Sequence, residues 1–94
     1  MTQFVINIFR RSKCGVLKPR QLKGCTYTLQ QAKNILFLDK NITALAKDIA
    51  YEMKVLYKPK DFEVTKNEDN NMLTIVFDNG KNYMEYQYTI VPIK

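Results

Sequence analysis

Residues 72–91, MLTIVFDNGKNYMEYQYTIV, decide the fold because two runs of alternating apolar residues flank the dipeptide Asn79-Gly80. Asparagine and glycine both tolerate the positive φ of a type I′ turn, so this pattern predicts a β-hairpin. A two-residue loop places Asp78 opposite Lys81. One face of the hairpin is then apolar and must be buried against helices; it consists of Leu73, Ile75, Phe77, Met84, Tyr86 and Tyr88.

The opposite face of this hairpin is mixed rather than polar. Its predicted strands, 72–78 and 81–91, place on it Met72, Thr74, Val76, Tyr83, Glu85, Gln87, Thr89 and Val91. If Val5 and Phe9 of the first strand join this face, it carries a semi-apolar patch. Such a patch is covered by the chain itself, contacts a partner, or forms the interface of a homodimer.

Two helices are predicted before this hairpin. Thr28 and Gln31 have the spacing of a capping box, which predicts a short helix Leu29–Phe37. A second helix, over residues 42–57, follows a cap at Asn41 and ends before a proline. Its apolar stripe, at three- and four-residue spacing, contains Ile42, Leu45, Ile49, Met53 and Leu56, with Ala46 and Ala50.

The remaining segments are strands and connections. Alternating apolar residues predict strands over residues 2–9 and 62–66, and the polar run 67–71 predicts a turn. Residues 11–23 lack a sustained period, so they form a long loop or a loose hairpin whose return arm is 24–27.

These elements predict one α+β domain that spans residues 1–94. We expect two layers, an antiparallel sheet of four to five strands with a helix pair packed on one face. With 46% hydrophobic residues and 11 aromatic side chains, the chain has enough apolar surface to form a core.

Histidine is absent from the sequence, and this excludes most catalytic sites. A chain without imidazole contains no Ser-His-Asp or Cys-His arrangement and no common catalytic zinc site. The two cysteines, Cys14 and Cys25, are too few for a structural zinc site in one chain, and three glycines are too few for a nucleotide-binding loop. We expect no enzyme activity, no metal and no cofactor, and we expect reduced thiols unless the compartment is oxidising.

Two groups of carboxylates represent the alternative of metal-dependent chemistry. Asp48 and Glu52 are four residues apart on the second helix, and Asp61, Glu63 and Lys66 resemble the acidic-plus-lysine group of metal-dependent nucleases. Neither spacing is specific, so both groups are better explained as surface charges.

Positive charge is concentrated at the start of the chain. The formal net charge is +6, yet residues 1–38 contain seven cations and no acidic residue, whereas residues 39–94 contain eight lysines and nine carboxylates. Such a local surplus attracts phosphate backbones, anionic lipid surfaces or acidic proteins. The candidate binding residues in this part are Arg10, Arg11, Lys13, Lys18, Arg20, Lys23 and Lys33.

A second basic group is expected on the helix over residues 42–57. At about 100° per residue, the side opposite the apolar stripe carries Lys47, Tyr51, Lys54 and Lys58. This row fits a phosphate backbone, with a tyrosine ring for base stacking. The alternative is an ordinary solvated helix face.

The sequence also predicts where the protein resides. No apolar run approaches the roughly 20 residues of a membrane span, and the basic residues follow the first apolar run, unlike those of a secretory signal. We therefore expect a cytoplasmic protein without a membrane partner. The composition, with 12 Lys, 8 Asn, 8 Ile and 6 Tyr, resembles that of many small proteins of phages and other mobile elements.

Two functions are compatible with these features. The first is a non-catalytic basic binding protein whose residues 10–23 engage nucleic acid or a nucleoprotein complex through phosphate contacts. The second is a protein-binding inhibitor or adaptor of host machinery, for example an anti-defence or anti-CRISPR inhibitor. It would act through the same residues or through the outer sheet face. The first function is the preferred prediction.

Overall fold

A computed structural model, which describes residues 2–93, contains an antiparallel sheet with two helices on one face. The strands are β1 (Phe4–Ser12), β2 (Gly15–Val16), β3 (Arg20–Gln21), β4 (Phe62–Asn67), β5 (Met72–Asp78) and β6 (Tyr83–Pro92). The helices are α1 (Leu29–Phe37) and α2 (Asp39–Met53), and short 3-10 turns cover Pro59–Asp61 and Glu68–Asn70. The predicted α+β architecture is confirmed.

The strand order in the sheet is β2-β1-β6-β5-β4, and β3 lies beside β2 along the same edge of β1. The sheet is therefore five strands wide although it contains six strands. Strand β6 occupies the centre, where it pairs with β1 along the whole length of β1 and with β5 on its other side. The N-terminal and C-terminal parts of the chain thus meet in the middle of the sheet.

The predicted hairpin is confirmed as β5–β6, but its register differs from the prediction. Asp78 lies opposite Tyr83 instead of Lys81, so the loop contains four residues, 79–82. Because this is a shift of two residues, every side chain stays on its predicted face. The predicted apolar face is buried at Leu73, Ile75, Phe77, Tyr86 and Tyr88, and half-buried at Met84.

Side-chain acceptors explain the longer loop. The Asn79 side-chain oxygen accepts hydrogen bonds from the backbone N–H groups of Lys81 and Asn82, at 3.0 and 2.7 Å. These hydrogen bonds satisfy the two backbone N–H groups in the four-residue loop, and a two-residue turn would place these groups differently. Only Gly80 in this loop has positive φ, at 89°, whereas a type I′ turn requires it at both central residues.

Strand β1 is longer than predicted and continues to Ser12. Arg10 and Arg11 therefore belong to the sheet, where they lie opposite Tyr86 and Glu85 of β6. The favourable pairing of a guanidinium with a carboxylate across the strands explains why the strand does not end at Phe9.

The segment after β1 is the loose hairpin of the two predicted alternatives. The chain turns at residues 12–15 and returns along the edge of β1 as β2, β3 and a bridge between Tyr27 and Phe4. The return arm thus begins at Gly15, earlier than the predicted 24–27. Two-residue strands are too short to produce a hydrophobic period, so the sequence pattern does not show them. We call residues 10–23 the basic arm.

Helix α1 agrees with its predicted bounds because its N-terminal capping box forms. The backbone N–H of Gln31 donates to the Thr28 hydroxyl at 3.1 Å, and the backbone N–H of Thr28 donates to the Gln31 side chain at 3.0 Å. Both hydrogen bonds satisfy amides that the helix itself leaves free.

Helix α2 begins three residues earlier than predicted, at Asp39. The residue that precedes the helix is Leu38, whose carbonyl accepts from the N–H groups of Asn41 and Ile42. The Asn41 side chain does not cap the helix; it donates to the Asn34 carbonyl at 2.9 Å and joins the two helices.

Helix α2 also ends earlier than predicted, at Met53, because Lys54 adopts a left-handed conformation with φ of 59°. The following residues alternate in burial, with Val55 and Tyr57 half-buried and Leu56 77% exposed. Leu56 fits the helical spacing in the sequence. The segment after Lys54 is extended, however, so the alternate residues Val55 and Tyr57 face the core and Leu56 faces away from it.

The core lies between the helices and the inner face of the sheet. Helix α1 contacts β1, β5 and β6, and α2 packs beside α1. The fully buried large side chains are Ile6, Leu36, Ile49, Leu73, Ile75, Phe77 and Tyr86. Neither helix within residues 2–93 combines the length and the apolar character that a membrane crossing requires.

Candidate nucleic-acid interface

The three arginines of the basic arm make contacts within the protein. On the outer face of the sheet, the Arg11 guanidinium contacts the Glu85 carboxylate at 2.5 Å. On the inner face, Arg20 forms an ion pair with Glu52 of α2, and the Arg10 guanidinium donates to a backbone carbonyl of the arm at 3.2 Å. These contacts attach the arm to the sheet and to the helix layer.

The Glu52 carboxylate joins the arm, α2 and the sheet. One of its oxygens pairs with Arg20, and the other accepts a hydrogen bond from the Tyr86 hydroxyl at 2.7 Å. Burial raises the pKa of Tyr86, although the nearby charges of Arg10 and Arg20 act in the opposite direction. The hydroxyl therefore stays protonated and remains a donor at neutral pH.

The lysines of the basic arm point to a different role from that of its arginines. Lys13 lies in the 12–15 turn, Lys18 follows β2, and Lys23 has a left-handed φ of 56°; all three are exposed. Within residues 2–93, Lys66 is the one lysine that forms an ion pair, with Asp39 at 3.0 Å. The arm lysines are therefore available to an external anion. Lys33 of α1 is half-buried.

The predicted row on the second helix is divided by the early end of α2. Lys47 and Tyr51 lie on the helix, Lys54 is its left-handed end, and Lys58 belongs to the extended segment that follows. The Lys47 ammonium lies 5.7 Å from the centre of the Tyr57 ring, a cation–π contact. Tyr51 is 87% exposed and free to stack on a base.

The sheet topology brings further lysines together at one end of the molecule. Ser12 pairs with Met84, and Phe62 pairs with Phe77, so the 12–15 turn, the 79–82 loop and the start of β4 share one end of the sheet. We call segments 12–15, 54–61 and 79–82 the turn end. They contain one carboxylate, Asp61, and five lysines, namely Lys13, Lys54, Lys58, Lys60 and Lys81.

Two of these lysines, Lys60 and Lys81, are absent from the predicted candidate residues. Together with Lys58 they line an open depression of about 360 Å³ at the turn end. Each lies in a short connection next to a turn residue, in the sequences KPK and NGK. That local signal marks them as exposed loop residues, but only the antiparallel pairing of the strands shows that they converge.

The opposite end of the molecule contains charges of both signs. Segments 38–41 and 67–71 contain one lysine, Lys40, and three carboxylates, Asp39, Glu68 and Asp69. Lys23 of the basic arm lines a small depression together with Asn41 and so lies at this end as well. The molecule measures 45 Å along its longest axis. The turn end thus contains more lysines than the opposite end.

The outer face of the sheet contains a second depression, of about 410 Å³, beside β1 and β6. Phe9 and Val16 line it and are 40% and 73% exposed. The Arg11–Glu85 ion pair also lines it, so the depression combines apolar and charged groups. Phe9, Glu85 and Gln87 belong to the predicted semi-apolar outer face, whose Val76 and Tyr83 line another depression.

Metal ligands and thiols do not form a group at either end. Within residues 2–93, no three cysteine, aspartate or glutamate side chains are placed to hold a metal ion, and Cys14 and Cys25 are both exposed free thiols. No protein-family model matches the chain, and no curated protein or solved structure matches it closely enough to count as similar.

Proposed function

We propose that this protein is a non-catalytic binding protein whose turn end and basic arm contact the phosphate backbone of nucleic acid, alone or in a nucleoprotein complex. The observation that carries this proposal is the set of exposed lysines without carboxylate partners at the turn end, three of which line one depression. Lysines of this kind neutralise phosphates and release condensed counterions on binding.

The proposed contacts are with phosphates rather than with base edges. Lysine is a point charge on a flexible stem and carries no directional code for a base, whereas the arm arginines are engaged in internal contacts. In this proposal the arginines hold the arm against the sheet, and Lys13 and Lys18 extend the footprint from the turn end along the arm. We place this function in the cytoplasm and in a phage or other mobile element, as the composition suggests.

A salt titration tests the proposal directly. The affinity of a fluorescent single-stranded oligonucleotide is measured by anisotropy for the wild type and for the triple variant Lys58→Gln, Lys60→Gln, Lys81→Gln. We expect the affinity of the wild type to fall steeply as the salt concentration rises. In a plot of log affinity against log salt concentration, the slope of the variant should be shallower by about 0.7 for each phosphate contact removed.

The matched control for this titration is Lys40→Gln, which removes one exposed charge from the opposite end. It should bind nearly as tightly as the wild type. A wild-type affinity that does not change with salt would exclude backbone binding. A loss of log affinity in Lys40→Gln that is one third of the loss in the triple variant would show that only net charge matters, and not the turn end.

The outer-face depression supports the second candidate function, a protein-binding inhibitor or adaptor. Exposed Phe9 and Val16 beside an ion pair are the mixture found at protein interfaces. In a pull-down from host lysate divided into nuclease-treated and untreated halves, this function predicts a stoichiometric partner that survives nuclease and is lost with Phe9→Ser. The homodimer expected from this face belongs to the same candidate and is tested by sedimentation of the same variant.

A further inference from the structure

The depression at the turn end is lined by three lysines from two separate connections. Lys58 and Lys60 come from the connection between α2 and β4, and Lys81 comes from the β5–β6 loop. Lysines that follow a polymer backbone are spread along a line, because successive phosphates are several ångströms apart. These three lysines instead line a single depression, and Asp61 is the one carboxylate that lines it.

Convergent charge favours a ligand with concentrated charge. A phosphodiester within a strand has one negative charge, whereas a phosphomonoester has about −1.5 to −2 at neutral pH and three acceptor oxygens. Three ammonium groups can each donate to a different oxygen of such a group. Asn79 of the β5–β6 loop also lines the depression and adds polar atoms to it.

One wall of the depression is apolar. Val55 and Leu56 line it. Leu56 is 77% exposed, so packing in the core does not account for an apolar side chain at this position. An apolar wall beside three cations matches a phosphate that is attached to a sugar and a base. The volume of about 360 Å³ also leaves room for more than a phosphate group alone.

We infer that the turn-end depression binds a phosphomonoester attached to a nucleoside, with Lys58, Lys60 and Lys81 on the phosphate and Leu56 against the sugar or base. The source of this group is the end of a nucleic-acid strand or a free mononucleotide. The inference rests on the proposed function and adds to it a site that distinguishes a strand end from the strand interior.

The first experiment compares one oligonucleotide sequence in three forms, with a 5′-phosphate, with a 3′-phosphate, and with neither. We expect one phosphorylated form to bind about tenfold more tightly, as one or two additional charge-assisted hydrogen bonds predict. In Lys60→Gln and in Lys81→Gln this preference should disappear, while Lys40→Gln keeps it. Circular dichroism verifies that each variant is folded.

Competition separates the two sources of the phosphomonoester. AMP and inorganic phosphate are titrated as competitors against the preferred oligonucleotide. Displacement by AMP at a concentration similar to that of the oligonucleotide identifies a mononucleotide site. If AMP does not displace the oligonucleotide, the site binds strand ends. Leu56→Ser should weaken the nucleotide-bearing ligand and leave inorganic phosphate unchanged.

The outcomes distinguish this inference from the proposed function. Equal affinity for all three oligonucleotide forms, with a steep salt dependence, would overturn the phosphomonoester site and leave backbone binding in place. A preference that persists in both lysine variants would also overturn it. Absence of binding to every oligonucleotide would overturn the proposed function itself.

Discussion

Glu52 is the residue that joins the basic arm to the rest of the fold. Its carboxylate holds Arg20 of the arm and the hydroxyl of buried Tyr86 at the same time. An exposed ion pair contributes little by itself, but a buried hydroxyl that loses its partner costs free energy. The hydrogen bond with Tyr86 is therefore the larger contribution.

Removal of this carboxylate should destabilise the protein measurably. We expect Glu52→Ala to lower the free energy of unfolding by about 1–2 kcal/mol, because the Tyr86 hydroxyl and the Arg20 guanidinium both lose a partner. Urea denaturation followed by circular dichroism measures the change. The control Glu68→Ala, at an exposed residue without an ion pair among residues 2–93, should stay within about 0.5 kcal/mol. Similar losses in both variants would contradict the role of Glu52.

Buried tyrosines make the stability sensitive to alkaline pH. Burial raises the pKa of Tyr88 above its ordinary value, and the same cause raises that of Tyr86. In the unfolded chain these hydroxyls lose their protons near pH 10, whereas the folded protein keeps them, so stability is retained below about pH 10 and falls as pH rises above it. Thermal unfolding across this range should show the fall.

Substitution identifies the tyrosine responsible. Tyr88→Phe removes the titrating group and should flatten the alkaline loss of stability. Tyr51→Phe serves as the control, because this residue is 87% exposed and should leave the pH profile unchanged. An unchanged profile in Tyr88→Phe would show that its burial does not govern the alkaline loss.

At the residue scale, the sequence shows the cations but not their partners. The surplus of positive charge before Asp39 is visible by counting, and so is its concentration in residues 10–23. The ion pairs Arg11–Glu85 and Arg20–Glu52 join residues 74 and 32 positions apart, and no local pattern encodes such a separation. The tertiary fold therefore decides which cations are paired and which remain accessible.

At the scale of elements, periodicity predicted faces better than boundaries. The predicted buried face of β5–β6 is correct because a two-residue change in register preserves the alternation of side chains. The end of α2 was misplaced because Leu56 continues the helical spacing by coincidence, while Val55 and Tyr57 are the residues that turn inward. The sequence pattern does not show strands β2 and β3, because each contains only two residues.

The course of the basic arm determines what its thiols can do. Cys14 lies in the turn after Ser12, whereas Cys25 lies near the Tyr27–Phe4 bridge at the other end of β1. About seven residues of strand, or about 23 Å, separate these positions, but a disulfide requires Cα atoms within about 7 Å. The two cysteines therefore cannot form an internal disulfide while the arm is paired with β1.

Mild oxidation should consequently produce disulfides between molecules and none within one. Peptide mapping under non-reducing conditions identifies the links, and both thiols should react with a maleimide in the folded protein because both are exposed. Cys14→Ser and Cys25→Ser separately show which thiol forms each link. A Cys14–Cys25 peptide from monomeric, folded protein would contradict the pairing of the arm with the edge of β1.

At the scale of the whole molecule, the fold collects lysines from distant parts of the chain at the turn end. Residues that are far apart in the chain, such as Lys13, Lys58 and Lys81, come together because antiparallel strands place alternate connections at the same end. Counting charge along the sequence located the bias in the first 38 residues. It did not reveal the turn end, whose lysines lie mostly in the part of the chain with nearly balanced charge.

This arrangement predicts a footprint that is measurable without any mutation. Lysine acetylation in the presence and absence of an oligonucleotide, read by mass spectrometry, reports which ammonium groups a ligand covers. We expect protection at Lys13, Lys18, Lys54, Lys58, Lys60 and Lys81 and unchanged acetylation at Lys40, which is exposed at the opposite end. High salt should abolish the protection, because the contacts are with phosphates. Protection confined to the basic arm would restrict the interface to residues 10–23, and equal protection at Lys40 would show that the ligand has no preference for the turn end.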